Sequence, residues 1–161
     1  QEKLRPVSET VKESIKEILE ISYVLHPHQL DRLGLKKAIE SLVSKIGRTT
    51  NIKFNLTIDK IDNLLDKKSE INLFRILQEG INNIIKHSGA DEATIIIQKN
   101  TEYLKITISD NGCGFNEKKM TSAHKGLGLT GMEERASLMG GGLKIKSNPI
   151  EGTMLFLKLP Y

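Results

Sequence analysis

Between Glu70 and Lys86 the apolar residues recur at three- and four-residue intervals, and no other stretch constrains the fold as much. On a helix turning about 100° per residue, Leu73, Phe74, Leu77, Ile81, Ile84 and Ile85 fall within an arc of about 120°. A helix with one such stripe has to bury it against a second layer. With Glu79 set at zero, Asn83 lies at about 40° and Lys86 at about 340°. A carboxylate, an amide and an ammonium thus share a line opposite the apolar stripe. An amide oxygen is a hard ligand suited to magnesium, which keeps several waters and recruits phosphate oxygens. A carboxylate one turn away can orient a water or act as a general base. The same line also fits the solvated face of an ordinary amphipathic helix.

The remaining periodicities say what covers that stripe. Ile52, Phe54, Leu56 and Ile58 alternate with polar residues and predict a half-buried strand. Two more strands are predicted at Ala93 to Gln98 and Leu104 to Asp110, and two at Leu143 to Ser147 and Thr153 to Leu159. Helices are predicted from Leu35 to Ile46, ended by Gly47, and from Gly131 to Met139, stopped by Gly140-Gly141-Gly142. Residues 59–69 read as a polar connection, and the glycine-rich residues 111–128 as a long loop of the kind that often serves as a functional lid. Before all of these, Leu4, Val7, Val11, Ile18, Ile21 and Leu25 mark an amphipathic helix of roughly seven turns, with Ser14 as its polar break. It is long enough to pair with another helix, although packing within the same domain also fits. Pro27 and residues 31–34 are expected to interrupt it. The order predicts an α+β, two-layer sandwich with helices on one face of the sheet, preceded by the long helix.

Composition removes several function classes. A chain of 161 residues accommodates one domain with a short extra element, and 38% hydrophobic with 27% charged residues is ordinary for a globular protein. The single cysteine, Cys113, rules out an internal disulfide framework and a cysteine-based zinc cluster. The net charge of +4 is scattered, aromatic residues make up 4%, and tryptophan is absent, a pattern that argues against nucleic acid as a partner. No apolar run approaches the roughly 18 residues of a membrane span, so membrane contact by this segment is not expected. The start at Gln1 reads as a piece of a longer protein whose membrane attachment stays open.

Two loops carry further chemistry. The strand ending at Asp110 runs into Asn111-Gly112-Cys113-Gly114-Phe115, where spaced glycines allow a close approach to a flat ligand. A carboxylate there can accept hydrogen bonds from an exocyclic amino group, although Asp-Asn-Gly is also strong turn chemistry. Gly126-Leu127-Gly128-Leu129-Thr130-Gly131 matches the spacing of a dinucleotide fingerprint. It lacks the preceding strand and the following parallel crossover, so a nicotinamide or flavin site is not expected. A glycine loop opening a helix, with Thr130 and Glu133 placed as a capping box, still predicts a phosphate site.

In this order the segments resemble the ATP-binding catalytic domain of sensor histidine kinases, within the superfamily that also holds gyrase-type, chaperone-type and mismatch-repair ATPases. Residues 78–87 look like the family's N box, 110–114 like its first glycine box, 126–131 like its second, and Gly152-Thr153 like the pair that closes the nucleotide pocket. The Lys86-His87 pair and residues 25–35 resemble the subgroup that works with LuxR-type response regulators.

The resemblance implies a Bergerat-type sandwich with a mixed sheet, ATP and Mg2+ as ligands, and a cytoplasmic domain. It implies that Asp110 reads the adenine amino group with Thr153 nearby, that Gly112 and Gly114 shape the pocket, and that Asn83 holds magnesium. Glu79 would polarise a group near the γ-phosphate, Lys86 would lean toward the phosphates, and Gly126, Gly128 and Leu129 would close around them. Residues 1–28 would be the last helix of a dimerisation and phosphoacceptor hairpin, and 29–161 the catalytic domain. The implied partners are the chain's own phosphoacceptor helix, a second protomer and a response regulator. None of the four histidines, His26, His28, His87 and His124, has the acceptor's setting, so ATP binding without autophosphorylation is expected. An anti-sigma-type serine kinase, a gyrase- or mismatch-repair-like ATPase and a non-catalytic nucleotide-binding scaffold are the alternatives.

Overall fold

The computed structural model describes residues 28–116 and 127–161. The helix expected over residues 1–25 and the residues His26, His124, Lys125 and Gly126 lie outside the described residues. Among the described residues, four α-helices, a π-helical turn and five strands follow one another: α1 (His28–Leu33), α2 (Leu35–Thr49), β1 (Lys53–Ile58), α3 (Lys67–Asn83), the π turn (Ile84–Ser88), β2 (Glu92–Lys99), β3 (Tyr103–Asp110), α4 (Leu127–Leu138), β4 (Gly142–Asn148) and β5 (Gly152–Pro160).

The strands form one mixed sheet in the order β1-β2-β3-β5-β4, with β1 parallel to β2 and the other pairs antiparallel. Ile95 pairs with Ile108 and Ile108 with Leu155; one step along, Ile97 pairs with Ile106 and Ile106 with Leu157. Side chains alternate across a strand, so this register lines one face with buried aliphatics while Thr107, Lys105 and Lys158 fall on the other. Leu35, Ile39 and Leu42 of α2, Leu73, Leu77 and Ile81 of α3, and Met132 and Ala136 of α4 complete the same core. The expected α+β sandwich is present. Among the described residues no helix is long and apolar enough to cross a membrane.

Several boundaries differ from the sequence expectation, each for a local reason. Residues 31–33 are helical, and only Gly34, at φ +78°, separates α1 from α2. Helix α2 passes through Gly47, whose missing side chain weakens a helix without ending it. It stops where the Thr49 and Thr50 hydroxyls donate to the Ile46 carbonyl. Helix α4 begins at Leu127, four residues before the expected start, so Thr130 lies inside it and cannot be its capping residue.

Helix α3 begins at Lys67, within the stretch read as polar connection, because Asp66 caps it: the Ser69 N–H donates to Asp66 Oδ1 at 2.7 Å. That bond, the Ser69 hydroxyl and the Lys68 backbone and charge hold the Asp66 carboxyl below the usual carboxylate range. A carboxyl depressed in the folded state stabilises it above the ordinary range and loses that contribution as pH falls through the folded value. Asp66→Ala is therefore expected to lower Tm by about 2–4 °C at neutral pH, a gap that closes in acid. Thermal melts of both proteins at neutral and acid pH check this.

Candidate functional site

The site forms where the C-terminal part of α3 crosses the ends of β3 and β5. Gly80 makes the crossing close: a methyl group there would sit 2.9 Å from Ile108 Cδ1 and 3.3 Å from Leu155 Cδ1. Beyond Asn83 the backbone widens into the π turn, which shifts the helical phase. Ile84 and Ser88 face inward while Ile85, assigned to the buried stripe on α-helical geometry, is 38% exposed. Such π turns recur at functional sites. Ser88, the last residue of the turn, anchors the neighbouring backbone. Its hydroxyl donates to the Ile84 carbonyl at 2.7 Å and accepts from Ala90 N at 3.0 Å, and its carbonyl accepts from Cys113 N at 2.7 Å.

The last bond holds the loop after β3 against the end of the helix. A side chain at Gly112 would lie 2.2 Å from the Ser88 carbonyl oxygen, so the approach requires glycine. The loop is tied at further points: Gly112 N donates to Asp110 Oδ1 at 2.9 Å, Glu92 N to Asn111 Oδ1 at 3.1 Å, and Phe115 N to Ser147 Oγ at 2.8 Å. Gly152 adopts φ +83° and brings the β4–β5 turn onto the Asp110 carbonyl.

These elements enclose a cavity of about 450 Å³. Glu79 and Asn83 line it from α3, Asp110 and Thr153 from the paired ends of β3 and β5, Gly114 and Phe115 from the loop after β3, and Gly128 and Leu129 from the opening turn of α4. The volume is that of a cofactor or small-molecule site. Ile84, Ile108 and Leu155 give it an apolar floor beside these polar groups, a lining suited to a flat ring with a charged tail. Gly128 is so near Glu79 that an added methyl carbon would fall 2.0 Å from Oε1. The first turn of α4 thus lies against the Glu79 carboxylate, and the N-terminal turn of a helix is a ready site for anions.

Most of the site residues expected from the sequence meet here. Glu79, Asn83, Asp110, Gly114, Gly128, Leu129 and Thr153 all line the cavity. Gly112 shapes the loop from behind without lining it. Lys86 does not join them: it stands exposed on the π turn, outside the cavity lining, because the straight α-helix that placed it one turn from Asn83 ends before it. His87, marked in the sequence only by its pairing with Lys86, lines the cavity, as does Ser88. The apolar floor does not stand out as a site in the sequence, where its residues read as core. Gly80, a glycine in the middle of a strong helical pattern, is the signal that another element comes close there.

Asn83 and Glu79 are oxygen donors of the kind magnesium takes. Among the described residues no cluster of three His, Cys, Asp or Glu could hold a metal by itself. A magnesium ion here would draw its remaining ligands from water and phosphate, as that ion commonly does.

Solved structures share this arrangement of helices and sheet. The histidine kinase domain of the blue-light activated histidine kinase from Erythrobacter litoralis superposes with a TM-score of 0.68 at 19% identity, covering 78% of this chain and 60% of that one. The ATP binding domain of PrrB from Mycobacterium tuberculosis gives 0.60 at 24% identity, covering 76% and 90%.

Sequence relatives include the sensor histidine kinase MctS of Rhizobium johnstonii, 34% identical over 94% of this chain and 33% of that protein. The sensor histidine kinase ComP of Bacillus subtilis is 31% identical over 94% of this chain and 20% of its own length. The kinase/phosphatase UhpB of Salmonella typhimurium is 37% identical over 84% and 26%. The chain thus spans a third or less of these three relatives. The family model for histidine kinase-, DNA gyrase B- and HSP90-like ATPases matches residues 68–161, the span from the start of α3 through the cavity to the end of the chain, and the chain belongs to that family.

Proposed function

We propose that this chain is the ATP-binding catalytic part of a two-component sensor histidine kinase, and that it delivers the γ-phosphate of Mg-ATP to a histidine on a dimerisation helix. The observation that carries the reading is the cavity that gathers Asp110 and Thr153, an apolar floor, and Glu79, Asn83 and the opening turn of α4 in one lining. The polar end suits the adenine amino group, the floor its ring, and the amide-rich end the phosphates. Magnesium, when bound, neutralises charge on the phosphate oxygens. Asn83 would hold that ion by its amide oxygen. Glu79 would orient the group that meets the γ-phosphate, and Gly126, Gly128 and Leu129 would close around the phosphates. Phosphoryl transfer relies chiefly on positioning and charge neutralisation, which these groups supply.

On this reading residues 1–28 end a dimerisation hairpin and 29–161 form the catalytic domain, facing the cytoplasm. Transfer goes to an acceptor helix outside this sequence, within a homodimer, and onward to a response regulator. The sensor-kinase names of the relatives support that class of partner, and the segment at residues 25–35 supports a LuxR-type one. Lys86, exposed on the π turn next to this cavity, would lean toward the phosphates.

The test adds a separately made acceptor helix and γ-labelled ATP to this chain. Label on the helix's histidine in the presence of Mg2+ is the expected result, and label released only as free phosphate would favour an ATPase instead. Asn83→Ala is expected to remove most of the magnesium dependence of ATP affinity, measured by titration with and without the ion. Retention of the full dependence would remove Asn83 from the metal role.

A further inference from the structure

Lysines that are scattered along the sequence come together on the face of the sheet turned away from the helices. Lys105 of β3 pairs with Lys158 of β5, and on β4 Lys144 pairs with Phe156 and Lys146 with Met154. Met154 and Phe156 are thus bordered by lysines along β4 and across the next row. Ile96 lies in the row of Phe156, with Thr107 between them. Ile96, Met154 and Phe156 belong neither to the buried core nor to the side chains packed against it, which all lie on the helix side.

The charge on this face is uncompensated. Among the described residues none of Lys105, Lys144, Lys146 and Lys158 is paired with a carboxylate, and all four are exposed. Glu92, the carboxylate that the strands place on the same face, is engaged by Lys53 Nζ at 3.3 Å and Asn55 Nδ2 at 2.6 Å. Lys146 Nζ lies 5.7 Å from the centre of the Phe156 ring, and Lys158 Nζ 4.1 Å from that of Tyr103. The lysine stems cover the rings and keep the ammonium heads at the surface.

We infer that this open face is a peripheral docking surface for an anionic phospholipid bilayer. Five strands about 4.8 Å apart make it about 20 Å across, and its charges are spread over three of them. The strands contain no arginine. Lysine is a hydrated point charge on a flexible stem, suited to diffuse negative charge, whereas nucleic acids and acidic protein surfaces are read largely by the arginine fork. Phe156, Met154 and Ile96 add apolar area to the contact, and Ile150, 89% exposed, stands on the β4–β5 turn at the edge of the face. A peripheral contact of this kind requires no apolar run long enough to span a membrane. The inference is independent of the nucleotide reading: the cavity lies on the helix side of the sheet, so docking leaves it free.

The experiment floats this chain with vesicles of phosphatidylcholine alone and of phosphatidylcholine and phosphatidylglycerol in equal parts. Binding is expected only with the anionic vesicles and is expected to fall as salt rises. Lys144→Gln with Lys146→Gln, and separately Lys105→Gln with Lys158→Gln, are each expected to weaken it at least about tenfold. Melting temperature and ATP affinity are expected to stay at the parent values in both. Lys37→Gln with Lys68→Gln removes the same charge from exposed positions on α2 and α3, and is expected to leave vesicle binding nearly unchanged. An equal loss in this control would mean that net charge rather than the open face is responsible, and would overturn the inference. So would a parent that binds neither vesicle, or one that binds poly-glutamate or duplex DNA while ignoring anionic vesicles.

Discussion

Asp110→Ala is expected to reduce ATP affinity by roughly thirty- to a hundredfold, the scale of losing a charge-assisted hydrogen bond together with the ordering it provides. Asp110 sits at the end of β3 in the same row as Thr153, and Gly112 N donates to its Oδ1. Alanine therefore removes the acceptor for the base and one tie on the loop. Asp110→Asn separates the two effects, since its amide oxygen can still receive Gly112 N while its –NH2 group faces the ligand with the wrong polarity. Both variants are expected to lose most of the affinity with little change in Tm. Titration calorimetry beside thermal melts measures the two quantities. Full affinity in either variant would remove Asp110 from base recognition.

The second large effect is expected at Gly152, where the backbone rather than a side chain does the work. Its φ of +83° lies where L-residues are strained, and a methyl group there would fall 2.1 Å from the Asp110 carbonyl oxygen and 3.0 Å from Gly112 N. Both neighbours are backbone atoms of the site, so neither can swing aside. Gly152→Ala is expected to cost about 2–4 kcal/mol and lower Tm by roughly 5–12 °C. The displaced strand end carries Asp110 with it, so ATP affinity should fall at least about tenfold in the protein that remains folded. A melt within about 2 °C of the parent would show that the turn relaxes more readily than its geometry implies.

The sheet and its covering helices are legible in the sequence because burial on one face imposes a period of two on Ile95, Ile97, Ile106 and Ile108, and a helical period on Leu73, Leu77 and Ile81. Residues that act through spacing along one element are also legible: Glu79 and Asn83 lie one turn apart and do line the cavity. Lys86, placed on the same line, stands outside that lining. Its assignment requires α-helical phase to continue past Asn83, whereas the backbone there is π-helical. No side-chain periodicity announces a single widened turn. The early start of α4 is hidden by Gly128, which reads as loop although a glycine in a first turn costs a helix little once tertiary contacts hold it.

The central claim is that the cavity between α3, the β3 loop and α4 takes ATP with its base against Asp110 and its phosphates toward Asn83. A crystal structure of this chain with a non-hydrolysable ATP analogue and Mg2+ tests it most directly. The 6-amino group is expected within hydrogen-bonding distance of the Asp110 carboxylate, and the metal is expected on Asn83 Oδ1 and phosphate oxygens. A nucleotide bound with its base away from Asp110, or a metal held without Asn83, would contradict it.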